Sequence, residues 1–291
     1  MNNLCLIVGE DSDIPKDILS KNNIIVFPFT VTWDKGNYSK DELFDVIRSN
    51  QKNNISNFPK TSQPSTGYFK KLFLEKFKNN SNIILISVSS KLSGTYNAAL
   101  QARDMLSPKD MKKIFILDSK HISASEALLT LQAANLIQSH KSAEDIIKTL
   151  KDQIPSIHLL ATINDPGCLE AGGRISRVKS AVIKQLIKIG VRPILTLKDG
   201  SAELLKIKGN AHEKSDALFS QFTTMLDDTD SAKKIDVAIC HGDNIDEAKK
   251  LEKKLLNYSK KINIVFTNKS SAVFGAHLGP DSLVMAWKVQ D

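Results

Sequence analysis

The segment from Ile83 to Val88 reads IILISV and runs directly into SSKLSGT at Ser89 to Thr95. The first six residues have the apolar, β-branched character of a buried strand. The loop that follows carries several hydroxyl side chains and one glycine, and the pattern from Thr95 to Leu106 predicts a helix. A strand that passes through a short loop into a helix is the repeating unit of α/β proteins, so this stretch decides the fold class.

The same alternation continues along the chain on both sides of this segment. In the first half, strands are predicted at 4–8, 24–29 and 114–118, and helices at 65–77, 124–139 and 143–153. In the second half, strands are predicted at 159–163, 192–197, 203–207, 237–240, 262–266 and 283–287, and helices at 181–189, 212–226 and 245–256. Ser39 and Glu42 fit a capping box that opens one more helix, and Asp199-Gly200 predicts a hairpin. The pattern is that of an α/β protein with a largely parallel sheet.

The length of the chain favours two domains. A domain commonly takes about 100–200 residues, and this chain has 291. The alternation of predicted strands and helices changes after Ile154-Pro155, shortly before the paired glycines Gly172-Gly173. We therefore predict an N-terminal α/β domain at 1–158, with a mainly parallel sheet and helices on both faces, and a C-terminal α/β domain at 159–291. A discontinuous boundary, with residues 60–75 or the last strand exchanged, is the alternative.

Composition and cysteine usage exclude several classes of protein. Hydrophobic residues make up 41% of the chain and charged residues 25%, which excludes a disordered or fibrous protein. The apolar runs fall far short of the ~20 residues of a membrane-spanning helix, and the start of the chain carries no basic leader, so we expect a cytoplasmic location. Cys5, Cys168 and Cys240 are too far apart for a disulfide framework or a metal site, so no metal is expected.

The net charge of +8 is spread over the chain as scattered lysines. A nucleic-acid-binding protein more often clusters basic and aromatic residues on one face, and only 6% of this chain is aromatic. We therefore expect no nucleic-acid partner. A solvated lysine surface, or attraction for an anionic small molecule, explains the charge instead.

Strict enzymatic motifs are missing from the sequence. There is no glycine-rich phosphate loop of the NTPase type and no dinucleotide-binding fingerprint after the first strand. His212-Glu213 lacks the second histidine of a zinc-protease helix. The sequence itself therefore assigns no catalytic residue and no cofactor.

Two loops rich in hydroxyl groups follow predicted strands, where open α/β sheets bind their ligands. Thr61 to Ser65 reads TSQPS and precedes one helix, and Ser89 to Thr95 precedes another. Hydroxyls and a glycine ahead of a helix N-terminus favour an anion, because free N–H groups and the helix dipole point there. Ordinary helix capping by Ser and Thr is the competing interpretation.

Two further segments combine glycine with a reactive side chain. Gly172 to Ser176 reads GGRIS: its glycines allow close backbone approach or a positive φ, and Arg174 can bind a phosphate or carboxylate. A helix C-cap beside a surface arginine is equally compatible. Gly275 to Pro280 holds His277 among glycines, which suits either a functional imidazole or a structural histidine. His241, after a predicted strand, is interpreted as mainly structural.

These segments, with Asp118-Ser119-Lys120 at the end of a predicted strand, resemble the DegV family in the same order along the whole chain. The family comprises bacterial fatty-acid-binding proteins, among them the FakB-type binding subunits of fatty acid kinase. The resemblance implies two α/β domains with one long-chain fatty acid bound between them, its acyl chain in a buried tunnel. It also implies a protein that is not itself an enzyme. A separate kinase subunit would form the acyl phosphate that enters phospholipid metabolism.

The resemblance also implies roles for particular residues. Thr61 and Ser93 would bind the carboxylate, with Ser62 and His277 close by and Gly94 and Thr95 in the same loop. Arg174, with Gly172 and Gly173, would lie in the surface that meets the kinase subunit. No catalytic residue, metal or cofactor is implied, and neither is insertion into a membrane.

Four segments depart from the family pattern. The usual Asp-Ser-Thr near the end of the first strand is Gly9-Glu10-Asp11, which would alter the support of the head-group site. A usual Leu-Glu-Tyr-Leu is Pro166 to Leu169, and a usual Arg-Thr-Arg is Lys208-Gly209-Asn210. The final Gly-Pro-Gly reads Gly279-Pro280-Asp281.

Two other functions remain as alternatives at the level of sequence. Ser93 as nucleophile with His277 as base would make a serine acyl hydrolase. The chain has no Gly-x-Ser-x-Gly elbow, which speaks against that chemistry. The second alternative is a lipid-responsive regulator whose ligand changes its affinity for a partner.

Overall fold

The computed structural model of the protein describes residues 4–33, 38–53, 57–80, 82–189, 191–208, 213–226 and 233–290. The chain forms two compact units. The first comprises Met1–Thr30, Ser62–Ile157 and Asp199–Ser201. The second comprises Val31–Thr61, His158–Lys198 and Ala202–Asp291. Both units are therefore assembled from segments that are separate in sequence.

Strands and helices alternate over most of the chain. The strands are β1 (Leu4–Gly9), β2 (Ile24–Phe27), β3 (Thr30–Thr32), β4 (Lys60–Ser62), β5 (Asn82–Ser87), β6 (Ile114–Asp118), β7 (Ile157–Thr162), β8 (Arg192–Lys198), β9 (Ser201–Lys208), β10 (Ile235–His241), β11 (Ile262–Lys269) and β12 (Leu283–Val289). The helices are α1 (Lys16–Lys21), α2 (Leu43–Lys52), α3 (Thr66–Lys76), α4 (Thr95–Asp104), α5 (Pro108–Met111), α6 (Ser123–Gln138), α7 (Ala143–Gln153), α8 (Gly167–Ala171), α9 (Arg177–Lys188), α10 (Lys214–Met225), α11 (Ile245–Tyr258) and α12 (Ala272–Leu278). Short 3-10 turns cover Glu10–Ser12 and Ile154–Ser156.

The first unit is built on a parallel sheet with the strand order β2-β1-β5-β6. Ile7 of β1 lies opposite Ile25 of β2 and Leu85 of β5. The run Ile83 to Ile86 is fully buried, as expected for a parallel strand covered on both faces. Helices flank this sheet because each parallel connection must cross over it. The predicted α/β class with a parallel sheet is confirmed.

The second unit contains a mixed sheet with the order β11-β10-β12-β7-β8-β9. β10 pairs with β11 in parallel and with β12 antiparallel, and β7 pairs with β8 antiparallel. The turn between β8 and β9 is the Asp199-Gly200 pair, with φ values of 49° and 82°. Two successive positive φ angles are those of a type I′ hairpin turn, so the predicted hairpin is present.

Aromatic packing on Trp287 fills the core beneath this sheet. Trp287 is 1% exposed. Its ring contacts Phe222 edge-on, with centroids 5.2 Å apart, and stacks on His158 at 5.0 Å. The tryptophan therefore ties the last strand to α10 and β7.

Residues 31–61 belong to the second unit although the chain on either side belongs to the first. This segment, called the 31–61 segment below, holds α2 and most of β3 and β4, which pair in a two-stranded sheet and extend one residue beyond the segment at either end. Ser39 and Glu42 make the expected reciprocal bonds, Ser39 N to Glu42 Oε2 at 2.8 Å and Glu42 N to Ser39 Oγ at 3.3 Å. They close a turn ahead of the helix, however, and α2 begins only at Leu43.

Two buried carboxyl groups of the first unit are incompletely hydrogen-bonded within the described part of the chain. Glu126 is 0% exposed and Asp11 is 2% exposed. Both oxygens of Glu126 and Oδ1 of Asp11 accept no hydrogen bond from the residues that the structure describes. Burial, with the nearby Asp13 carboxylate, raises the pKa of Asp11 to about 8. Burial, with Asp11 and Asp13, raises the pKa of Glu126 well above its usual range. Burial therefore favours the protonated form of both groups in the folded protein.

These two groups predict a protein that loses stability as the pH rises. Between their unfolded pKa values near ~4 and their raised folded values, the folded state binds more protons than the unfolded state. The free energy of unfolding should therefore fall with rising pH over that window, and urea unfolding at pH 5, 6, 7 and 8 measures it. Asp11→Asn with Glu126→Gln should flatten this dependence, whereas Glu203→Gln, at an exposed site in β9, should leave it as in the wild type. An unchanged slope in the double variant contradicts the assignment.

Candidate functional site

The structure brings Thr61 and His277 together in the second unit. Thr61 Oγ1, on β4, lies 2.8 Å from His277 Nε2, on α12. His277 is 7% exposed, and its Nδ1 has no hydrogen-bond partner among the described residues. Burial, with the nearby charge of Arg174, lowers the pKa of His277 to about 3. The imidazole is therefore neutral at physiological pH and carries one N–H.

A close backbone approach holds the imidazole in place. A Cβ atom on Gly172 would lie 2.5 Å from His277 Nδ1, so no other residue fits at this position without displacing the ring. Gly173 follows with a φ of 71°. Both uses that the sequence suggests for the paired glycines, close approach and a positive φ, therefore occur in this turn.

Arg174 lies beside the same turn. Its guanidinium donates a hydrogen bond to the carbonyl oxygen of Gly172, and burial lowers the pKa of the side chain. The second unit thus gathers a hydroxyl, a neutral imidazole and a guanidinium around Gly172. Of these groups, the hydroxyl and the imidazole can donate hydrogen bonds to an anion such as a carboxylate, whereas the guanidinium is bonded to the carbonyl oxygen of Gly172.

The other hydroxyls of the first predicted loop have simpler surroundings. Ser62 ends β4 and is exposed. Ser65 is the N-cap of α3, and its Oγ accepts a hydrogen bond from Tyr68 N at 3.2 Å. Helix capping, the competing interpretation, therefore accounts for Ser65.

The second predicted loop belongs to the first unit. Ser93 is half-buried, and its Oγ lies 2.9 Å from Thr95 Oγ1 and 3.3 Å from Thr95 N. Gly94 is the N-cap residue of α4, and Thr95 is its fully buried first residue. The loop thus presents a hydroxyl at a helix N-terminus, where the dipole favours negative charge.

Asp118, at the end of β6, anchors this loop. Its carboxylate accepts Ser90 N at 3.0 Å, Ser90 Oγ at 2.5 Å and Lys120 Nζ at 2.6 Å. Burial alone would raise the pKa of Asp118, but these hydrogen bonds hold it below its usual range. The strand end noted in the sequence therefore fixes the first turn of the hydroxyl loop.

The segments that depart from the family pattern have defined roles in the structure. Glu10 Oε1 accepts the backbone N–H of Phe29 at 2.6 Å. Gly167 begins α8, and its backbone N donates to Asp165 Oδ1 at 2.8 Å. Asp281 adopts a φ of 59°. Of Lys208-Gly209-Asn210, the last two residues lie outside the described part of the chain.

The observed bonds give little support to serine hydrolase chemistry. Ser93 Oγ bonds to Thr95, and His277 Nε2 bonds to Thr61. A general base is most effective when its pKa is near the working pH, whereas the pKa of His277 is lowered to about 3. His277 is better suited to hydrogen bonding than to proton abstraction.

Neither a cluster of metal-ligating side chains nor a helix able to cross a membrane occurs within the described ranges. These ranges hold no group of three or more His, Cys, Asp or Glu side chains arranged for a metal ion. None of the described helices is both long and apolar enough to cross a membrane. Cys5, Cys168 and Cys240 are buried free thiols.

Comparisons with known proteins identify the family. The profile described as "Uncharacterised protein, DegV family" matches residues 6–289. A DegV domain-containing protein of Staphylococcus aureus strain N315 is 33% identical over 285 residues, covering 97% of this chain and 98% of the relative. One from Caldanaerobacter subterraneus is 28% identical, covering 97% of both chains.

Solved structures show the same fold. The fatty-acid-binding DegV family protein of Thermus thermophilus has a TM-score of 0.85 and 22% identity, covering 99% of this chain and all of that one. DegV of Bacillus subtilis, a fatty-acid-binding protein, has a TM-score of 0.81 and 25% identity over the whole of both chains. A stearic-acid-binding protein of Eubacterium ventriosum has a TM-score of 0.82 and 22% identity, covering 99% of this chain and 98% of that one. The chain belongs to the DegV family.

Proposed function

We propose that this protein binds one long-chain fatty acid and holds its carboxylate on the hydroxyl groups of Thr61 and Ser93. Ser62, Gly94 and Thr95 complete the two hydroxyl loops around the head group. The observation that carries the proposal is the buried, neutral His277 bonded to Thr61. Relatives of the same fold that are described as fatty-acid-binding proteins support it.

The acyl chain would supply most of the affinity. Burying an alkyl chain contributes ~0.8 kcal/mol per methylene, so a long chain offers on the order of 10 kcal/mol before the costs of association. The head group then needs only hydrogen-bond donors for its carboxylate, because a buried carboxylate without hydrogen bonds tends to protonate.

The Thr61–His277 pair is well suited to that task. If His277 Nε2 carries the proton, it donates to Thr61 Oγ1, and the threonine hydroxyl proton is then free to point at a ligand oxygen. The carboxylate would accept its hydrogen bonds from neutral hydroxyl groups, with the Arg174 guanidinium as a nearby charge rather than a direct partner. Its oxygen would therefore stay nucleophilic toward a phosphoryl group.

We further propose that a separate kinase subunit phosphorylates the bound fatty acid. Arg174, with Gly172 and Gly173, would form the surface that meets this kinase. The protein would act as the carrier that presents the head group and then shelters the acyl phosphate from water. Catalysis would reside in the kinase subunit.

Thr61→Val should weaken fatty-acid binding, because valine keeps the shape of threonine but removes the hydroxyl. A hydrogen bond to a charged group contributes roughly 1.5–3 kcal/mol, so the dissociation constant should rise about 10- to 100-fold. Calorimetry of the delipidated protein with oleate measures this. Thr32→Val, at an exposed site on β3, is the matched control and should bind as the wild type does. Wild-type affinity in Thr61→Val combined with Ser93→Ala would rule out the head-group assignment.

The neutrality of His277 can be observed directly. Nitrogen-15 NMR of the ligand-free protein should show the His277 ring with one protonated and one bare nitrogen from pH 8 down to pH 5, because burial disfavours the charged ring. A titration of this ring with a midpoint near its usual value of about 6.5 would contradict the proposed neutral donor.

Arg174→Gln should separate the binding of the fatty acid from its presentation to the kinase subunit. The variant should retain oleate but yield less acyl phosphate with a bacterial fatty acid kinase subunit, because a docking guanidinium has been removed. Arg177→Gln, at an exposed site at the start of α9, is the matched control. If Arg174→Gln supports phosphorylation at the wild-type rate, the docking role is wrong.

A further inference from the structure

Thr61 is the last residue of the 31–61 segment and contacts His277. The contacts that hold this segment in place therefore affect the geometry of the Thr61–His277 pair. The helix of the segment, α2, buries Leu43, Phe44 and Ile47 in one apolar cluster with Ala276 of α12. A Cβ on Gly275 would lie 2.5 Å from Phe44 Cζ. α2 therefore lies directly against the helix that carries His277.

Arg48, on α2, is bonded to two acidic residues elsewhere in the second unit. Its Nη1 lies 2.7 Å from Asp243 Oδ2, and its Nη2 lies 3.1 Å from the Asp243 carbonyl oxygen and 3.2 Å from Asp281 Oδ1. Nη1 also lies 3.3 Å from Asp45 Oδ1 on the same helix. These contacts use the planar fork of the guanidinium, which lysine cannot reproduce.

The backbone and the neighbouring side chains aim the two partner carboxylates at Arg48. Asp243 and Asp281 both have a φ of 59°, a left-handed conformation that is uncommon for residues with a side chain. Asp243 Oδ1 accepts Lys269 Nζ at 2.7 Å, and Asp281 N donates to the carbonyl oxygen of Gly242 at 2.6 Å. The loop after β10 and the loop after α12 thus converge on one guanidinium.

Further hydrogen bonds connect the Asp281 loop and the end of α2 to neighbouring loops. Asp281 Oδ1 accepts Asn244 Nδ2 at 3.5 Å, and Asp281 Oδ2 lies 3.5 Å from Asn164 Nδ2. At the end of α2, Gln51 Nε2 donates to Asp165 Oδ2 at 3.0 Å. Asp281, only four residues after His277, therefore links the loop behind the histidine to α2.

From these contacts, and resting on the proposed function, we propose that Arg48 is a positioning residue of the carboxylate site. Arg48 holds α2 to Asp243 and Asp281. It thereby fixes the positions of α12 and of β4, the strand that follows α2, so that Thr61 contacts His277. Asp281 stands where the family pattern has glycine. Its ion pair with Arg48 offsets the strain of a side chain at positive φ.

The test compares Arg48→Met and Arg48→Lys with the wild type. Two quantities are measured: the affinity of the delipidated protein for oleate, and the nitrogen-15 signature of the His277 ring in the ligand-free protein. Arg48→Met should weaken oleate binding about tenfold, the effect expected when Thr61 no longer meets His277 and one hydrogen bond to the carboxylate is lost. It should also shift or broaden the His277 signal. Arg48→Lys should restore part of both, because one ion pair can remain. Arg103→Met removes a similar exposed ion pair, with Asp104, and should change neither.

Asp281→Gly is the second variant, because glycine accepts the φ of 59° while the bond to Arg48 is lost. It should keep the fold yet disturb the His277 signal in the same way as Arg48→Met. An undisturbed Thr61–His277 pair in Asp281→Gly or in folded Arg48→Met overturns the positioning role. A wild-type protein that takes up no oleate overturns the proposed function instead, and the His277 signal still decides the role of Arg48.

Discussion

A neutral imidazole packed against backbone is the constraint on which the candidate site of the second unit depends. His277 is buried beside Arg174, and Gly172 approaches its ring so closely that no side chain fits. In this environment protonation is costly, so the ring can act only through hydrogen bonds. Thr61 is the hydroxyl that the fold delivers to it. The small residue at Gly275, which lets α2 press against α12, serves the same packing.

The first unit instead has to accommodate several buried or partly buried carboxyl groups. In its parallel sheet β1 and β6 end at the same edge, where Asp118 is the last residue of β6 and Asp11 lies just after β1. Asp118 is ionised and anchors the hydroxyl loop, because Ser90 and Lys120 donate hydrogen bonds to it. Both oxygens of Glu126 and Oδ1 of Asp11 lack donors among the described residues, and burial raises the pKa of both groups. Carboxyl groups near one sheet edge therefore differ in charge because their hydrogen-bond donors differ.

Local sequence patterns predicted most of the fold because they reflect local physics. The apolar run at Ile83 to Ile86 and the Asp199-Gly200 turn are determined by neighbouring residues, and both occur as predicted. The capping pair of Ser39 and Glu42 also forms, but it closes a turn of its own, because α2 begins only at Leu43. The contact of Arg48 with Asp281 joins positions 233 residues apart. No local pattern contains such a contact, and its one trace in the sequence is an acidic residue in place of a glycine.

The same reasoning explains why the motifs of the site could be found while its geometry could not. Thr61, Gly172 and His277 stand out because hydroxyls and paired glycines are conspicuous in a sequence. Their association, however, depends on the 31–61 segment joining the second unit. That segment is held by the apolar face of α2 and by the polar contacts of Arg48 and Gln51. A partly exposed ion pair alone contributes little to stability. The value of the Arg48 contact therefore lies in its geometry, because one planar guanidinium meets two carboxylates on separate loops at once.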